Sequence, residues 1–376
     1  MKDTSIHDFS PIAPAEGPRP YGRVAVIGTG SWGTAVASLT QRAGCETVLL
    51  GRDHAIAEAI TLTGENPKYL KDIALPKGLR ATTNKLDALF GAEAVFLVTP
   101  SQSLRQVARD IKTLLAPGVP VVLCAKGIEI GTGLLLSQAV AEELPGHPIG
   151  ALSGPTFATD TAQGHYTAAT LAFEFRHEDR LNPNDSPAAR LAVTMSSETF
   201  RPYISDDLTG VEVAGAMKNV IAIACGMMTG AGFAENTRAA LIARGLDEMK
   251  TLAEALGGRR ETVTGLSGVG DLTLTCSSQT SRNMSLGHQL GQGLPRSECF
   301  QGRPVVVEGE TNARSIIDLA RRLGISLPIC ETVFGILHED RDLAASFATL
   351  WTQPIESEPR ALTLELPHPI TTETYA

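Results

Sequence analysis

The sequence predicts a mostly parallel, doubly wound α/β sheet followed by a domain made mostly of α-helices. Two observations carry this prediction. From Tyr21 onward short apolar runs alternate with helix-like segments, whereas after about Asp206 strand signals become sparse. A chain of 376 residues is long enough for two domains. We expect a disordered tail (1–20), a sheet domain (21–205), a helical domain (206–353) and a second disordered tail (354–376).

Short runs of apolar and β-branched residues between turn signals predict the strands. They lie at 23–28, 46–50, 79–82, 94–99, 119–125 and 148–152, and two further strands, at 167–174 and 200–204, extend the sheet. Helices are predicted between them, at 31–43, 54–62, 84–90, 101–115 and 133–143. Repeated strand–helix units of this kind imply a parallel sheet that is covered on both faces.

Two parts of the chain depart from this alternation. Residues 175–189, FRHEDRLNPNDSPAA, are charged and rich in Pro and Asn, which indicates a surface insertion or a hairpin. In the second half, residues 210–229 are apolar and rich in small side chains, while 236–255 and 312–323 have the pattern of amphipathic helices. The second half is therefore predicted to be helical.

Composition excludes several classes of protein. The net charge of −9 argues against broad binding to nucleic acids or anionic membranes. Six scattered cysteines without a CxxC pair indicate buried free thiols in a reducing cytoplasm. The sequence contains no run of about 18 uncharged apolar residues, so no membrane span is predicted. The N-terminus lacks the apolar core of a signal peptide. The histidines are dispersed, and no metal-site spacing is found.

The stretch VAVIGTGSWG (24–33) is the most informative in the chain. A buried strand leads directly into a G-x-G-x-x-G turn and then into a helix, as in Rossmann-like dinucleotide-binding domains. Gly28 permits the tight turn, Gly30 lets the backbone approach a pyrophosphate, and Gly33 allows the helix to pack closely on the strand. The N-terminus of the helix then offers N–H groups and a positive dipole end to the phosphates.

The residues that follow the second strand bear on the choice of cofactor. A site dedicated to NAD usually has an acidic residue here, which binds the ribose hydroxyls. In this chain Arg52 comes first and Asp53 follows it. Arg52 could pair with a 2′-phosphate, which favours NADP, whereas Asp53 keeps NAD possible and Arg52 could also be an ordinary surface charge.

Polar residues follow three further strands, at the edge where doubly wound sheets place their ligands. They are Thr99-Pro100-Ser101, Lys126-Gly127 and the segment SGPTFA (153–158). Any one of them could be a plain turn. Three at successive strand ends favour a binding crevice.

Lys218 lies within the apolar segment 210–229. Lysine is almost never fully buried without a partner or a purpose, and burial would lower its pKa into a range useful for proton transfer. The alternative is a lysine whose stem reaches the surface. Its neighbour Asn219 could orient a ligand or cap the backbone. Asp271 lies in the glycine-rich stretch GLSGVGDLTLTCSSQTSRN (265–283), whose glycine density indicates a loop that approaches another group closely.

Ser281-Arg282-Asn283 precede a predicted helix at 284–290. An arginine at a helix start, flanked by a hydroxyl and an amide, suits a phosphate group. The alternative is an N-cap followed by a solvated arginine.

These motifs, in this order, resemble the soluble NAD(P)-dependent glycerol-3-phosphate dehydrogenases of bacterial type. The resemblance spans nearly the whole chain, from about Gly22 to Leu350. It rests on GTGSWG (28–33), TPSQ (99–102), AKGIE (125–129), SGPTFA (153–158), GAMKNVIAIACG (215–226), NTRAALIARGLDEM (236–249), GVGDLTLTCSS (268–278), SRN (281–283) and VVEG (306–309). The insertion at 175–189 and the two tails depart from the family pattern but lie outside these motifs.

The resemblance implies a role for each matching residue. Lys218 would be the general acid/base, and Asp271 would hold Lys218 or a substrate hydroxyl. The substrate would be bound by Lys126, Gly154, Thr156, Lys218, Asp271, Ser281, Arg282 and Asn283. Ser31, Trp32, Arg52, Ala158, Val306 and Glu308 would contact the cofactor, together with Lys126 and Arg282, which would touch both ligands.

The implied reaction is the reversible reduction of dihydroxyacetone phosphate to sn-glycerol 3-phosphate by NAD(P)H, in the cytoplasm, for glycerophospholipid synthesis. A homodimer is the default assembly. Two alternatives compete with this reading: a β-hydroxyacid or ketopantoate-type dehydrogenase, and a dinucleotide sensor without catalytic activity. The former would prefer carboxylates to a phosphate monoester, and the latter would bind cofactor without turnover.

Overall fold

The structure is a computed structural model that describes residues 17–358, 365–366 and 368. Its first half contains an eight-stranded sheet. The strands are β1 (Arg23–Ile27), β2 (Glu46–Leu50), β3 (Arg80–Thr82), β4 (Ala94–Leu97), β5 (Val121–Leu123), β6 (Ile149–Ser153), β7 (Thr167–Phe173) and β8 (Phe200–Ser205). The helices that connect them are α1 (Ser31–Arg42), α2 (His54–Thr63), α3 (Lys85–Leu89), α4 (Leu104–Ile111), α5 (Leu136–Glu143), α6 (Ala158–Gln163), α7 (His177–Leu181) and α8 (Pro187–Met195).

The sheet has the order β3-β2-β1-β4-β5-β6-β7-β8. The pairing is parallel throughout except between β6 and β7, which confirms the predicted mostly parallel, doubly wound sheet. The direction of winding reverses between β1 and β4. In doubly wound sheets the crevice at the carboxyl ends of two such strands is the usual ligand site.

One of the two alternatives predicted for residues 175–189 is wrong. Residues 175–189 do not form a hairpin, because α7 and the start of α8 occupy them. The physical reason is the parallel pairing of β7 with β8, since parallel neighbours need a crossover connection rather than a tight turn. Ala188 is fully buried in this crossover, although most of residues 176–185 are exposed.

The second half of the chain is helical, as predicted. Its helices are α9 (Leu208–Gly230), α10 (Glu235–Ala255), α11 (Asp271–Cys276), α12 (Arg282–Gly291), α13 (Glu308–Leu323), α14 (Pro328–His338) and α15 (Leu343–Trp351). Helix α9 lies at the centre and is surrounded by α10 to α14. Glycines bring α9 and α12 close together: a Cβ at Gly226 would lie 2.3 Å from the carbonyl oxygen of Met284. The limits predicted for the two domains stay a prediction.

By length and composition α9 could cross a membrane, yet its apolar window is fully buried inside the fold. The helix also carries the buried residues Glu212 and Lys218. It is therefore the core helix of this half of the molecule.

Most residues of the two predicted tails lie outside the described ranges. Within the second one, β9 (Ile355–Glu356) pairs antiparallel with β10 (Glu365–Leu366). All six cysteines are unpaired and buried, as the sequence predicts.

The loop between β5 and α5, residues 124–135, packs against the helical half, and we call it the Lys126 loop. Its residues Ile128 and Leu135 form a β-bridge with each other and are buried in the core built around α9. Arg322 of α13 donates a hydrogen bond of 2.7 Å to the carbonyl oxygen of Thr132. The loop that carries Lys126 thus packs as part of the helical half.

Candidate active site

The glycine-rich turn between β1 and α1 has two closed positions and one open position. Gly28 has φ 122°, and a Cβ there would lie 2.3 Å from the carbonyl oxygen of Val98. A Cβ at Gly33 would lie 1.8 Å from the carbonyl oxygen of Gly28, whereas a Cβ at Gly30 would meet nothing within 4 Å. This geometry agrees with the tight turn, the close packing and the open approach expected of the three glycines.

The N-terminus of α1 faces this opening. Gly30 is its N-cap residue, and no side chain of the described residues caps the helix there. The first N–H groups of α1 are therefore available to an anion. The residues present fit the pyrophosphate of a dinucleotide.

Two predicted cofactor contacts follow directly in α1. Ser31 donates a hydrogen bond of 3.0 Å to the carbonyl oxygen of Tyr69. Trp32 is partly buried and packs on the same small apolar cluster as Ala158, the first residue of α6. The structure thus brings Ser31, Trp32 and Ala158 together beside the glycine turn.

The end of β2 separates the roles of Arg52 and Asp53. The carboxylate of Asp53 caps α2, because its Oδ1 accepts hydrogen bonds from the backbone nitrogens of Ala55 (3.1 Å) and Ile56 (3.4 Å). Arg52 is exposed. One carboxylate oxygen at this strand end is thus already engaged as a helix cap.

The three polar strand ends meet at one edge of the sheet. A Cβ at Gly127 would lie 3.3 Å from the Cβ of Ser101, and a Cβ at Gly215 in α9 would lie 3.2 Å from the Oγ of Ser153. Gly154 has no room for a side chain, because a Cβ would lie 2.8 Å from the Cα of Ala169. Thr156 donates a hydrogen bond of 3.3 Å to the carbonyl oxygen of Gly154.

Lys218 of α9 is buried against this edge, with 7% of its surface exposed. Its Nζ donates hydrogen bonds to Asp271 Oδ1 and Thr275 Oγ1, each at 2.7 Å. Lys126 binds the other oxygen of the same carboxylate, Oδ2. One buried aspartate therefore holds two lysines that come from the two halves of the chain, and the expected pairing of Asp271 with Lys218 is present. The alternative of a lysine that reaches the surface is excluded.

Local structure explains how Asp271 reaches this position. It begins α11, and a π-helical turn, Leu266–Gly270, comes directly before it. Such turns are rare and often lie at functional sites. Thr275 follows one helical turn later on the same face of α11, within 3.2 Å of Asp271 Oδ1.

Burial and neighbouring charges shift the pKa values of Lys218 and Asp271. Burial lowers the pKa of Lys218 to about 8, helped by the charge of Lys126 and opposed by Asp271. Burial raises the pKa of Asp271, but the two lysine ammonium groups outweigh it and hold that pKa below its usual value. Near neutral pH the carboxylate stays ionised, while Lys218 can both give and accept a proton.

The cluster Ser281–Asn283 lies at the start of α12, beside the VVEG segment. Ser281 caps the helix by accepting a hydrogen bond of 3.3 Å from the nitrogen of Met284. Arg282 is exposed, and its Nη1 donates to the carbonyl oxygen of Val306 at 2.8 Å. The amide of Asn283 is buried, and it links Asn219 of α9 to the nitrogen of Gly309, with both bonds at 2.9 Å.

Val306 and Glu308 border the same crevice. Val306 has 59% of its surface exposed. Glu308 begins α13, and burial raises the pKa of its carboxyl, although Arg282, Lys126 and Lys218 lower it. The Arg282 bond to Val306 places the exposed guanidinium at the rim of the crevice.

Two residues of the site were missed by the sequence analysis. Thr275 could have been found from its spacing, because a hydroxyl four positions after Asp271 lies on the same helix face. Asn312 is fully buried and contacts the main chain of Lys126. It gives no local signal, since it lies in an ordinary amphipathic helix pattern. Within the described residues, no cluster of His, Cys, Asp or Glu side chains could hold a metal ion.

The fold and the site together define a dinucleotide-dependent oxidoreductase. Two family models match the chain: the NAD-dependent glycerol-3-phosphate dehydrogenase N-terminus over residues 23–179, and the C-terminus of the same enzyme over residues 207–348. The chain belongs to the NAD-dependent glycerol-3-phosphate dehydrogenase family.

Individual relatives agree with this assignment. The chain is 44% identical over 335 residues to a glycerol-3-phosphate dehydrogenase [NAD(P)+] from Rhodospirillum rubrum, with 89% of this chain and 93% of the relative covered. It is similar to the crystal structure of a glycerol-3-phosphate dehydrogenase from Coxiella burnetii, with a TM-score of 0.80, 34% identity, and coverage of 88% and 99%. A yeast glycerol-3-phosphate dehydrogenase structure is similar with a TM-score of 0.77, 26% identity and the same coverage.

Proposed function

We propose that this protein catalyses the reversible reduction of dihydroxyacetone phosphate to sn-glycerol 3-phosphate with NAD(P)H. The observation that carries the proposal is Lys218, a buried lysine with a lowered pKa at the carboxyl edge of the sheet. Hydrogen bonds to Asp271 and Thr275 hold its Nζ in place. The names and the full-length similarity of the relatives support the substrate.

The chain's own residues supply acid–base catalysis and substrate binding. The nicotinamide supplies the hydride when it is bound. Lys218 stabilises the charge that develops on the C2 oxygen of the substrate and gives that oxygen a proton; in the reverse direction neutral Lys218 accepts it. Asp271 orients the ammonium group, and Lys126 adds positive charge beside the reacting oxygen.

The remaining substrate contacts serve to recognise the phosphate. Arg282 lies at the rim and can pair with a phosphate, a charge-assisted interaction suited to guanidinium groups. The start of α12 adds N–H groups of its first turn. We assign Gly154, Thr156, Ser281 and Asn283 to the same subsite, because they border this crevice or connect its helices.

For the cofactor we assign the glycine turn, Gly28, Gly30 and Gly33, to the pyrophosphate. Ser31, Trp32 and Ala158 lie together beside this turn, and Lys126, Arg282, Val306 and Glu308 border the crevice between the halves. At the end of β2 both Arg52 and Asp53 are exposed, and one carboxylate oxygen of Asp53 caps α2. This arrangement favours a 2′-phosphate on the ribose, and therefore NADPH over NADH.

The biological setting is part of the proposal. A cytoplasmic location agrees with six unpaired cysteines. The product is the backbone of glycerophospholipids, which supports a role in their synthesis. A homodimer is proposed as the commonest symmetric assembly, and the domain limits 21–205 and 206–353 follow the change from sheet to helices.

The decisive experiment follows nicotinamide oxidation by the purified chain with dihydroxyacetone phosphate, comparing NADPH and NADH at equal concentration. We expect turnover, faster with NADPH. A 2-oxo carboxylate such as ketopantoate serves as the comparison substrate. Turnover of the carboxylate alone would assign the protein to the competing dehydrogenases, and cofactor binding without any turnover would favour a sensor.

A further inference from the structure

Asn312 of α13 links two other segments of the active site through hydrogen bonds to their main chain. It is fully buried in the first turns of α13. Its Nδ2 donates to the carbonyl oxygen of Lys126 at 3.0 Å and to that of Ala216 at 3.2 Å. The first acceptor belongs to the Lys126 loop, and the second lies in α9, two residues before Lys218.

The chemistry of these contacts requires an amide. Both neighbours are carbonyl oxygens, so the NH₂ group must face them and the orientation of the side chain is fixed. Its Oδ1 is buried beside Gly127 of the Lys126 loop and has no hydrogen-bond partner among the described residues. Burying an acceptor without a partner is unfavourable, so packing alone does not explain an amide at this position.

The surroundings of Asn312 leave the Lys126 loop little freedom. A Cβ at Gly127 would lie 2.8 Å from Asn312 Oδ1, so the loop lies directly against the amide. On the opposite side, the stem of Lys126 packs against α9, since a Cβ at Gly215 would lie 3.3 Å from Lys126 Cγ. The ammonium group of Lys126 then binds Asp271.

We infer that Asn312 is a positioning residue, which fixes the Lys126 loop against α9 and so sets the separation between the ammonium groups of Lys126 and Lys218. The inference rests on the proposed roles of these two lysines. Asn312 acts through the main chain and takes no part in proton transfer itself.

This geometry has an electrostatic consequence. Besides burial, three charged groups act on the pKa of Lys218: Asp271 from α11 and Glu308 from α13 raise it, and Lys126 lowers it. A Lys126 that moves away withdraws its positive charge and leaves Asp271 to Lys218 alone. Both changes favour the charged form of Lys218, so its pKa rises.

The first test compares Asn312→Leu and the smaller Asn312→Ala with a matched control, Ser315→Ala. Ser315 is also buried in α13, and its hydroxyl bonds only to the carbonyl oxygen of Asn312 among the described residues. For reduction of dihydroxyacetone phosphate by NADPH, we expect the Asn312 variants to lose about 10-fold in kcat through misplacement. The alkaline limb of their pH–rate profile should move up by roughly 0.5 unit.

The second test does not depend on turnover. The full-length wild type and the same variants are labelled briefly with acetic anhydride, and modification of Lys126 is measured by mass spectrometry against the exposed Lys112. We expect Lys126 to be labelled about twofold faster or more in the Asn312 variants, because the loop has lost its anchor, and at the wild-type rate in Ser315→Ala.

The outcomes separate this inference from the proposed function. An active wild type, with an unshifted pH limb and unchanged labelling in folded Asn312 variants, would overturn the positioning role. The role would also be overturned by an Asn312 variant that loses both rate and melting temperature but shows neither a shifted alkaline pH limb nor faster labelling of Lys126. Asn312 would then be purely structural. An inactive wild type would refute the proposed function, and faster labelling of Lys126 would still support the anchoring contact.

Discussion

The glycine turn and the lysine cluster face the same crevice but are built in different ways. The turn is made of main chain: ten consecutive residues, 24–33, supply the strand, the bend and the helix start. The cluster is made of side chains, and its members Lys126, Lys218 and Asp271 come from widely separated segments. The turn can therefore be recognised in a short stretch of sequence, whereas the cluster exists only once both halves have folded together.

The same difference decides what a substitution does. At Gly28 and Gly33 of the turn, an added methyl group would overlap backbone atoms, so a substitution there changes the path of the main chain. In the cluster, a removed ammonium or carboxylate group changes chemistry, while the surrounding helices keep their packing.

The largest effect is expected for Lys218→Ala, which removes the proton donor. We expect kcat to fall about 100-fold or more, the scale of general acid–base catalysis. Asp271 keeps Lys126 as its partner, so the variant should fold, and thermal denaturation with an NADPH titration checks this. A folded Lys218→Ala protein with nearly normal kcat would remove Lys218 from the mechanism.

Gly33→Ala should damage the turn itself. Its Cβ would overlap the carbonyl oxygen of Gly28 at 1.8 Å, and we expect a loss of roughly 3 kcal/mol in the free energy of unfolding. Gly30→Ala is the matched control, because nothing lies within 4 Å of the new methyl group. It should keep the wild-type stability in urea denaturation and bind NADPH about 10-fold more weakly, since the methyl group blocks the pyrophosphate. Equal stability of Gly33→Ala and Gly30→Ala would refute the difference between the closed and the open position of the turn.

The pH dependence of the rate tests the electrostatics of the cluster. Lys218 must be protonated to act as an acid, so the rate of reduction should fall as the pH rises through about 8. Oxidation of sn-glycerol 3-phosphate needs the neutral amine and should rise over the same range. Initial rates in both directions at saturating substrate check the signs, and two profiles with the same direction would contradict the assignment.

Arg282→Ala sharpens the distinction between binding and chemistry. We expect the KM for dihydroxyacetone phosphate to rise about 10-fold through loss of a charge-assisted contact, with a smaller change in kcat. Arg303→Ala is the control, because this exposed arginine bonds only to its near neighbours Phe300 and Gln301 among the described residues. An unchanged KM would exclude Arg282 from the phosphate subsite.

The sheet could be predicted from the sequence because its signals are local. All eight strands lie within two residues of their predicted limits, since buried β-branched runs end at turn residues. The hairpin alternative for residues 175–189 was wrong because their polar composition does not reveal that β7 and β8 run parallel. Strand direction is a property of the whole sheet.

The site could be predicted less completely than the sheet. A lysine in an apolar helix and an aspartate in a glycine-rich stretch could be suspected individually, and the structure brings Lys218 and Asp271 within 2.7 Å. Asn312 could not be found in this way, because its importance depends on the two carbonyl oxygens that folding brings to its amide. The π-helical turn before Asp271 is likewise a product of tertiary packing.

The packing of the Lys126 loop determines which half of the chain it must accompany when the halves are separated. By chain order it follows β5 in the sheet half, but Ile128 and Leu135 are packed in the helical core. A sheet half expressed alone would present these two apolar side chains to water and leave Lys126 without its anchors. Hybrid enzymes assembled from two relatives should therefore exchange residues 124–135 together with the helical half.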